Sequence, residues 1–260
     1  MKNFKKKLQK SLIAMFCYWV IISAILYFAA DFIIFKASKQ GLDIDNFPQN
    51  TEIKEIYQDD NKILRAFLTL RESDKILVYF HGNVGANAHI IANDFYQKTD
   101  LNILVPTYFG YKPSTGKASR DNFYLSVDKI MEYLLNNGWE EEDIIIMGTS
   151  LGGAAASYAA SKYSNLDRTI IVNSFDSIYS MCLEQYYIFC IFAGNIMDSA
   201  QYAKNISGKI FQFHSPNDKT VPYKLGKKLF TQIKSQDKKF FDLYGTHNDF
   251  SLDWVIEKAF

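Results

Sequence analysis

Gly148-Thr149-Ser150-Leu151-Gly152 constrains this chain more than any other stretch. The run before it, Asp143-Ile144-Ile145-Ile146-Met147, is short, apolar and β-branched, as a strand buried on both faces requires. The run after it, Leu151 to Ala160, is made mostly of small, helix-forming residues. The pattern predicts a strand that turns sharply into a helix with Ser150 at the apex. Glycine is needed at 148 and 152 because a Cβ at either would collide where strand and helix cross. The helix N-terminus then faces any oxyanion formed when Ser150 attacks a carbonyl.

The surrounding chain supplies a sheet for that turn. Glu52–Tyr57 and Ile63–Leu70 alternate in strand fashion around a turn-rich joint and read as a hairpin. Further strands are expected at Ile76–Phe80, Asn102–Tyr108, Arg168–Val172, Lys209–Phe213 and Lys239–Leu243. Helices are expected at Ala86–Lys98, Asp121–Asn136, Val221–Ser235 and Ser251–Phe260. This alternation predicts an α/β fold: a mostly parallel, eight-stranded sheet with helices on both faces and a short insert after the sixth strand, reaching Ser207. At 260 residues and 48% hydrophobic content the chain can bury one core of that size.

The N-terminus is of a different kind. Residues 1–30 hold five lysines and no acidic residue, leaving 24 basic and 28 acidic residues to the rest of the chain. The lysines precede Ser11 to Ala30, an uncharged and mostly apolar run. About twenty such residues suffice to cross a bilayer. A cleaved signal peptide would have a shorter apolar core and a small residue where Phe28 stands, and a buried globular helix would not follow an all-basic head. The expectation is a retained signal anchor, with residues 1–36 as basic tail and transmembrane helix and 37–260 as the catalytic domain. The positive-inside rule places the tail in the cytoplasm and the domain on the non-cytoplasmic side.

Composition excludes little else. A net charge of +1, with the basic excess confined to the tail, gives no reason to expect nucleic acid. Cys17, Cys182 and Cys190 offer no metal spacing. Cys182 and Cys190 read as packed thiols, with a bridge left open. No metal or other cofactor is called for, and the oligomeric state stays open.

A serine hydroxyl needs a base to take its proton, and that base needs a carboxylate to fix its tautomer. Of four histidines, His81 and His89 precede Ser150, and His214 ends a strand ahead of the nearest carboxylate, Asp218. His247 lies in Gly245-Thr246-His247-Asn248-Asp249, just after the last strand. Asp218 follows the penultimate strand, and Asp176, after the strand before that, is its rival.

These segments together resemble the α/β-hydrolase superfamily, and most closely its membrane-anchored, serine-aminopeptidase-type members, which include lysophospholipases and protein depalmitoylases. The matching pieces run in the family's order from His81-Gly82-Asn83-Val84-Gly85 through Tyr108-Phe109-Gly110-Tyr111, Ser114-Thr115-Gly116 and Gly148–Gly153 to Asp218–Pro222 and Gly245–Asp249. The resemblance implies a Ser, acid, His order along the chain, hence Ser150 as nucleophile, Asp218 as orienter and His247 as base. It also implies an oxyanion hole made by the amides of Leu151 and Asn83, with Gly82 letting that loop come in close. Phe109, Lys112 and Ser215 depart from the pattern, without touching the three catalytic positions.

The implied activity is hydrolysis of carboxylic esters or thioesters of acyl lipids or acylated substrates. A serine peptidase of the same fold, or a non-catalytic scaffold binding a lipid or protein, are the alternatives. The apolar and aromatic stretch Ile178 to Ala193 reads as a core helix or as an acyl-chain wall over the site.

Overall fold

The computed structural model describes residues 2–36, 41–59, 62–85, 88–186, 190 and 197–260. The N-terminal helix α1 (Lys2–Ile34) carries the basic head and the apolar run without interruption. It is long and apolar enough to cross a membrane, and little of it is buried against the rest of the chain. Phe16, Phe28 and Phe32 stand exposed along it, so its apolar surface is not packed into the core.

Among the described residues eight strands form one sheet: β1 (Thr51–Asp59), β2 (Lys62–Thr69), β3 (Ile76–Phe80), β4 (Asn102–Pro106), β5 (Ile144–Thr149), β6 (Arg168–Val172), β7 (Ile210–His214) and β8 (Lys238–Asp242). Their order is β1-β2-β4-β3-β5-β6-β7-β8, antiparallel at β1/β2 and β2/β4 and parallel from there on. The expected strands and helices are present to within a few residues. The predicted start of the second helix, at Ala86, and the middle of the β1–β2 joint lie outside the described residues.

Period-two alternation splits the core in two. Ile76, Val78, Phe80, Ile144 and Ile146 face α3 (Arg120–Asn136), α4 (Leu151–Lys162) and α7 (Tyr223–Gln232). Leu77, Tyr79, Ile145 and Met147 face α2 (Ala88–Lys98) and α8 (Leu252–Ala259). Because both faces are covered, these strands are apolar at every position, and each fully buried Ile, Leu or Phe contributes about 2 kcal/mol.

The insert after β6 contains α5 (Ile178–Tyr186) and α6 (Ser199–Ala203). Much of the aromatic stretch proposed as an acyl wall lies outside the described residues. One expectation is corrected here: Cys182 and Cys190 form a disulfide, with Cα atoms 5.8 Å apart. Sequence spacing could not reveal this, because the pairing depends on how the insert folds back. The insert is also tied to α7 by Lys228–Asp176 and Lys224–Glu184 ion pairs of 2.7 and 2.6 Å.

The crossing of β5 and α4 is as close as the glycines imply. A Cβ on Gly148 would lie 2.0 Å from the Gly152 carbonyl oxygen, and one on Gly152 would lie 1.9 Å from that of Phe80. Both obstacles are backbone and cannot swing aside. Gly152→Ala should therefore lose more than about 3 kcal/mol of stability. Gly208→Ala, whose Cβ meets the Ser164 carbonyl at 3.3 Å, should stay within about 1 kcal/mol. Urea midpoints of the two variants would test the contrast.

Candidate active site

Ser150 sits between β5 and α4 with φ 53° and ψ −117°. A non-glycine residue there costs about 1–3 kcal/mol. Bonds from its own peptide groups offset this cost: its amide donates to the Val172 carbonyl at 2.9 Å, and its carbonyl accepts from the Gly153 amide at 3.0 Å and the Ser174 hydroxyl at 2.8 Å. The turn lifts Oγ off the end of the sheet.

Two loops from neighbouring strands meet it. His247, between β8 and α8, lies with Nε2 3.0 Å from Ser150 Oγ. Its Nδ1 lies 2.7 Å from Oδ2 of Asp218, between β7 and α7. A carboxylate only accepts, so Nδ1 carries the proton and Nε2 is left to accept from the serine hydroxyl. The structure thus brings Ser150, His247 and Asp218 together. The rival Asp176 is buried against Lys228 and the Ser180 hydroxyl instead.

Asp218 is buried and saturated. Its Oδ1 accepts from the Thr220 and Val221 amides, both at 2.8 Å. Burial alone would raise its pKa, but hydrogen bonds from His214 and His247 and from the Val221 amide prevail and hold the carboxyl well below the ordinary range.

His214, set aside as a base, is placed beside the acid. It is fully buried, its Nε2 donates to the Val221 carbonyl at 3.0 Å, and the same nitrogen is 3.5 Å from Asp218 Oδ2. Asn173 went unnoticed in the sequence. Its Nδ2 donates to the carbonyls of Thr246 and His247 at 3.2 and 3.1 Å, and its Oδ1 accepts from the Ser215 amide at 2.9 Å. It fastens the loop of His247 to the loop of Asp218. Its place just past β6 was the one available signal. Ser215 serves the same union, its hydroxyl donating to the Gly245 carbonyl at 2.5 Å.

The loop after β3 runs beside Ser150. A Cβ on Gly82 would meet the Ser150 Cβ at 3.5 Å, an ordinary contact, so closeness to the serine is present but does not itself demand glycine. Gly82 and Gly85 close a turn through a 3.1 Å bond. Asn83 is the second residue of that turn, and its N–H takes no part in the turn's own hydrogen bond. Leu151 contributes the first amide of α4, which has no helical acceptor. The Asn83 side chain accepts from the Tyr111 hydroxyl at 2.8 Å.

Parallel sheet, serine turn and hydrogen-bonded Ser–His–Asp chain are the arrangement of an α/β-hydrolase. The family described as Chlamydia CHLPS protein (DUF818) matches residues 71–176. Protein bem46 of Schizosaccharomyces pombe is 30% identical over 220 residues, 79% of this chain and 74% of bem46. The phosphatidylserine lipase ABHD16A of Bos taurus is 25% identical over 140 residues, 48% of this chain and 24% of the lipase. Among solved structures, the Pyrococcus furiosus esterase Pf2001 superposes with a TM-score of 0.65 at 17% identity, over 79% of this chain and 87% of the esterase. The chain belongs to the α/β-hydrolase family that includes bem46.

His81, at the base of the oxyanion-side loop, yields a pH prediction. It is buried, its Nδ1 donates to the Gly82 carbonyl at 2.7 Å, and Nε2 has no hydrogen-bond partner among the described residues. Burial lowers its pKa to about 4 against a smaller upward pull from the Gly82 carbonyl. The unfolded chain takes up this proton near pH 6.5 while the fold refuses it until about pH 4, so stability falls as pH drops through that window, by about 3 kcal/mol in all. Asp218 acts in the same direction at lower pH: its depressed pKa stabilises the fold above the ordinary carboxylate value, and that contribution is lost only below this window. His81→Asn, which keeps a donor for Gly82, should flatten the decline between pH 6.5 and 4.5 in denaturant midpoints. An unchanged slope would assign the decline to other groups.

Proposed function

We propose that this chain is a membrane-anchored serine hydrolase of carboxylic esters or thioesters, acting on acyl lipids or acylated substrates. The observation that carries the reading is the unbroken relay from Asp218 through His247 to Ser150, with spacings of 2.7 and 3.0 Å. In the proposed cycle Ser150 Oγ attacks the acyl carbon while His247 Nε2 takes its proton. The amides of Leu151 and Asn83 stabilise the oxyanion. His247⁺ then protonates the leaving oxygen or sulfur, leaving an acyl-enzyme. Water, deprotonated by the same histidine, releases the acid and restores Ser150. Asp218, kept ionised, holds the tautomer and stabilises the imidazolium formed in each half.

The ester or thioester preference draws on the esterase and lipase names among similar proteins. The anchor supports a lipid or lipidated substrate. We assign residues 1–36 to tail and anchor and 37–260 to the catalytic domain, on the non-cytoplasmic side. Five lysines ahead of the span favour that orientation, and the Cys182–Cys190 bridge fits an oxidising compartment.

Labelling of membranes with a fluorophosphonate should mark the wild type and disappear in Ser150→Ala and His247→Ala. Against a soluble ester, Ser150→Ala should lower kcat by about 10⁶-fold and Asp218→Asn by about 10⁴-fold. A folded wild type that resists the probe would sink the hydrolase reading. For orientation, an impermeant maleimide should reach Cys182 in intact cells only after reduction of its bridge. Labelling that needs permeabilised cells would reverse the assigned side.

A further inference from the structure

The end of α1 does not simply leave the membrane and trail into a linker. Asp31, the first charge after the apolar run, accepts from the Arg120 amide at 3.3 Å through Oδ1. Phe35 is buried, its ring 5.8 Å from that of Phe123. The Lys36 amide donates to Asn83 Oδ1 at 2.9 Å, and Asn83 Nδ2 donates in return to the Ile34 carbonyl. Asn83 is thereby held by its side chain to the outgoing helix and to Tyr111, while its neighbour Gly82 borders Ser150. The anchor and the loop beside the serine are one hydrogen-bonded unit.

Depth follows from helix geometry. Ser11 to Ala30 rises about 30 Å, the thickness of a hydrocarbon core. From Ala30 to the end of the helix at Ile34 the rise is about 6 Å, while the headgroup zone on each side is about 5–8 Å deep. Lys36 and the Asn83 it contacts therefore stand at the outer edge of the headgroups. Phe32 is exposed within this zone, and Val84, next to Asn83 in the chain, is an exposed apolar residue as well.

We propose that the outgoing end of α1 is built into the oxyanion-side loop through Asn83, fixing the active site at headgroup depth, so that the chain acts on esters resident in the leaflet it emerges from. The proposal rests on the hydrolase reading above and adds where the substrate must reside. Asn83 acts in it twice, through its amide on the reacting oxygen and through its side chain as the link to the anchor.

The test uses the full chain in phosphatidylcholine vesicles and two probes with one leaving group, 4-methylumbelliferyl oleate in the bilayer and 4-methylumbelliferyl acetate in water. A flexible Gly/Ser linker inserted between Ala30 and Asp31 leaves the Asn83 contacts intact but frees the depth. It should keep the acetate rate and lower the oleate rate at least about tenfold, as a lost effective concentration. Equal oleate rates in the two proteins, or a wild type that cleaves acetate but not oleate, would overturn the proposal. A wild type that cleaves neither and takes no fluorophosphonate would instead refute the hydrolase reading. Independently of how the linker variant folds, Val84→Cys in a Cys17→Ser background, carrying a fluorophore, should be quenched by headgroup spin-labelled lipid; no quenching by lipid spin labels would equally overturn it.

Discussion

The backbone of Ser150 is the constraint on which the rest of this structure depends. A serine at φ 53° stands where β5 and α4 cross so closely that Gly148 and Gly152 leave no room for a Cβ. The strain is local, and its support is not. Ser150 draws hydrogen bonds from β6, from the start of α4 and from Ser174, so a turn of one residue is stabilised by three segments. The parallel sheet provides this by placing the ends of β3, β5 and β6 side by side, with Phe80 opposite Gly148 and Thr149 opposite Val172. A reactive group on such a scaffold needs little reorganisation before it meets a substrate.

The acid is stabilised by a different principle. Burying a carboxylate is costly unless its lone pairs are met. Asp218 meets that requirement with two amides on one oxygen and His247, backed by His214, on the other. The charge is thus held by backbone amides and imidazole rings, with no lysine or arginine in an ion pair with it among the described residues. In the proposed cycle that matters, because the one positive charge that comes and goes beside it is the imidazolium.

The framework was legible because its signals are local. β-branched runs mark strands buried on both faces, and the flanking glycines mark the crossing at Ser150. Loop positions after the strands, together with the order along the chain that the family resemblance implies, point to His247 and Asp218, which the structure brings together. What escaped notice depends on partners far apart in the chain. Asn173 gives no pattern, because its work is to join loops more than forty and seventy positions downstream. His214 resembled a residue finishing a strand. The Asn83 side chain finds its partners 47 and 49 positions upstream, beyond any helix or strand period. Cys182 and Cys190 carry no sequence sign of their pairing, because sequence separation says nothing about Cα distance. Ser215 was noted as a departure from the family's glycine, and the structure gives its hydroxyl a partner in Gly245.

Asn173 also separates two histories within one molecule. It stands between β6 and the insert, and it secures the acid and base loops from beneath without using any residue of the insert. Mutations can accumulate in α5, in the Cys182–Cys190 loop and in its ties to α7 while the geometry of the reacting atoms is inherited unchanged. A lineage of such chains can vary that one short stretch while inheriting the placement of Ser150, His247 and Asp218 as a unit.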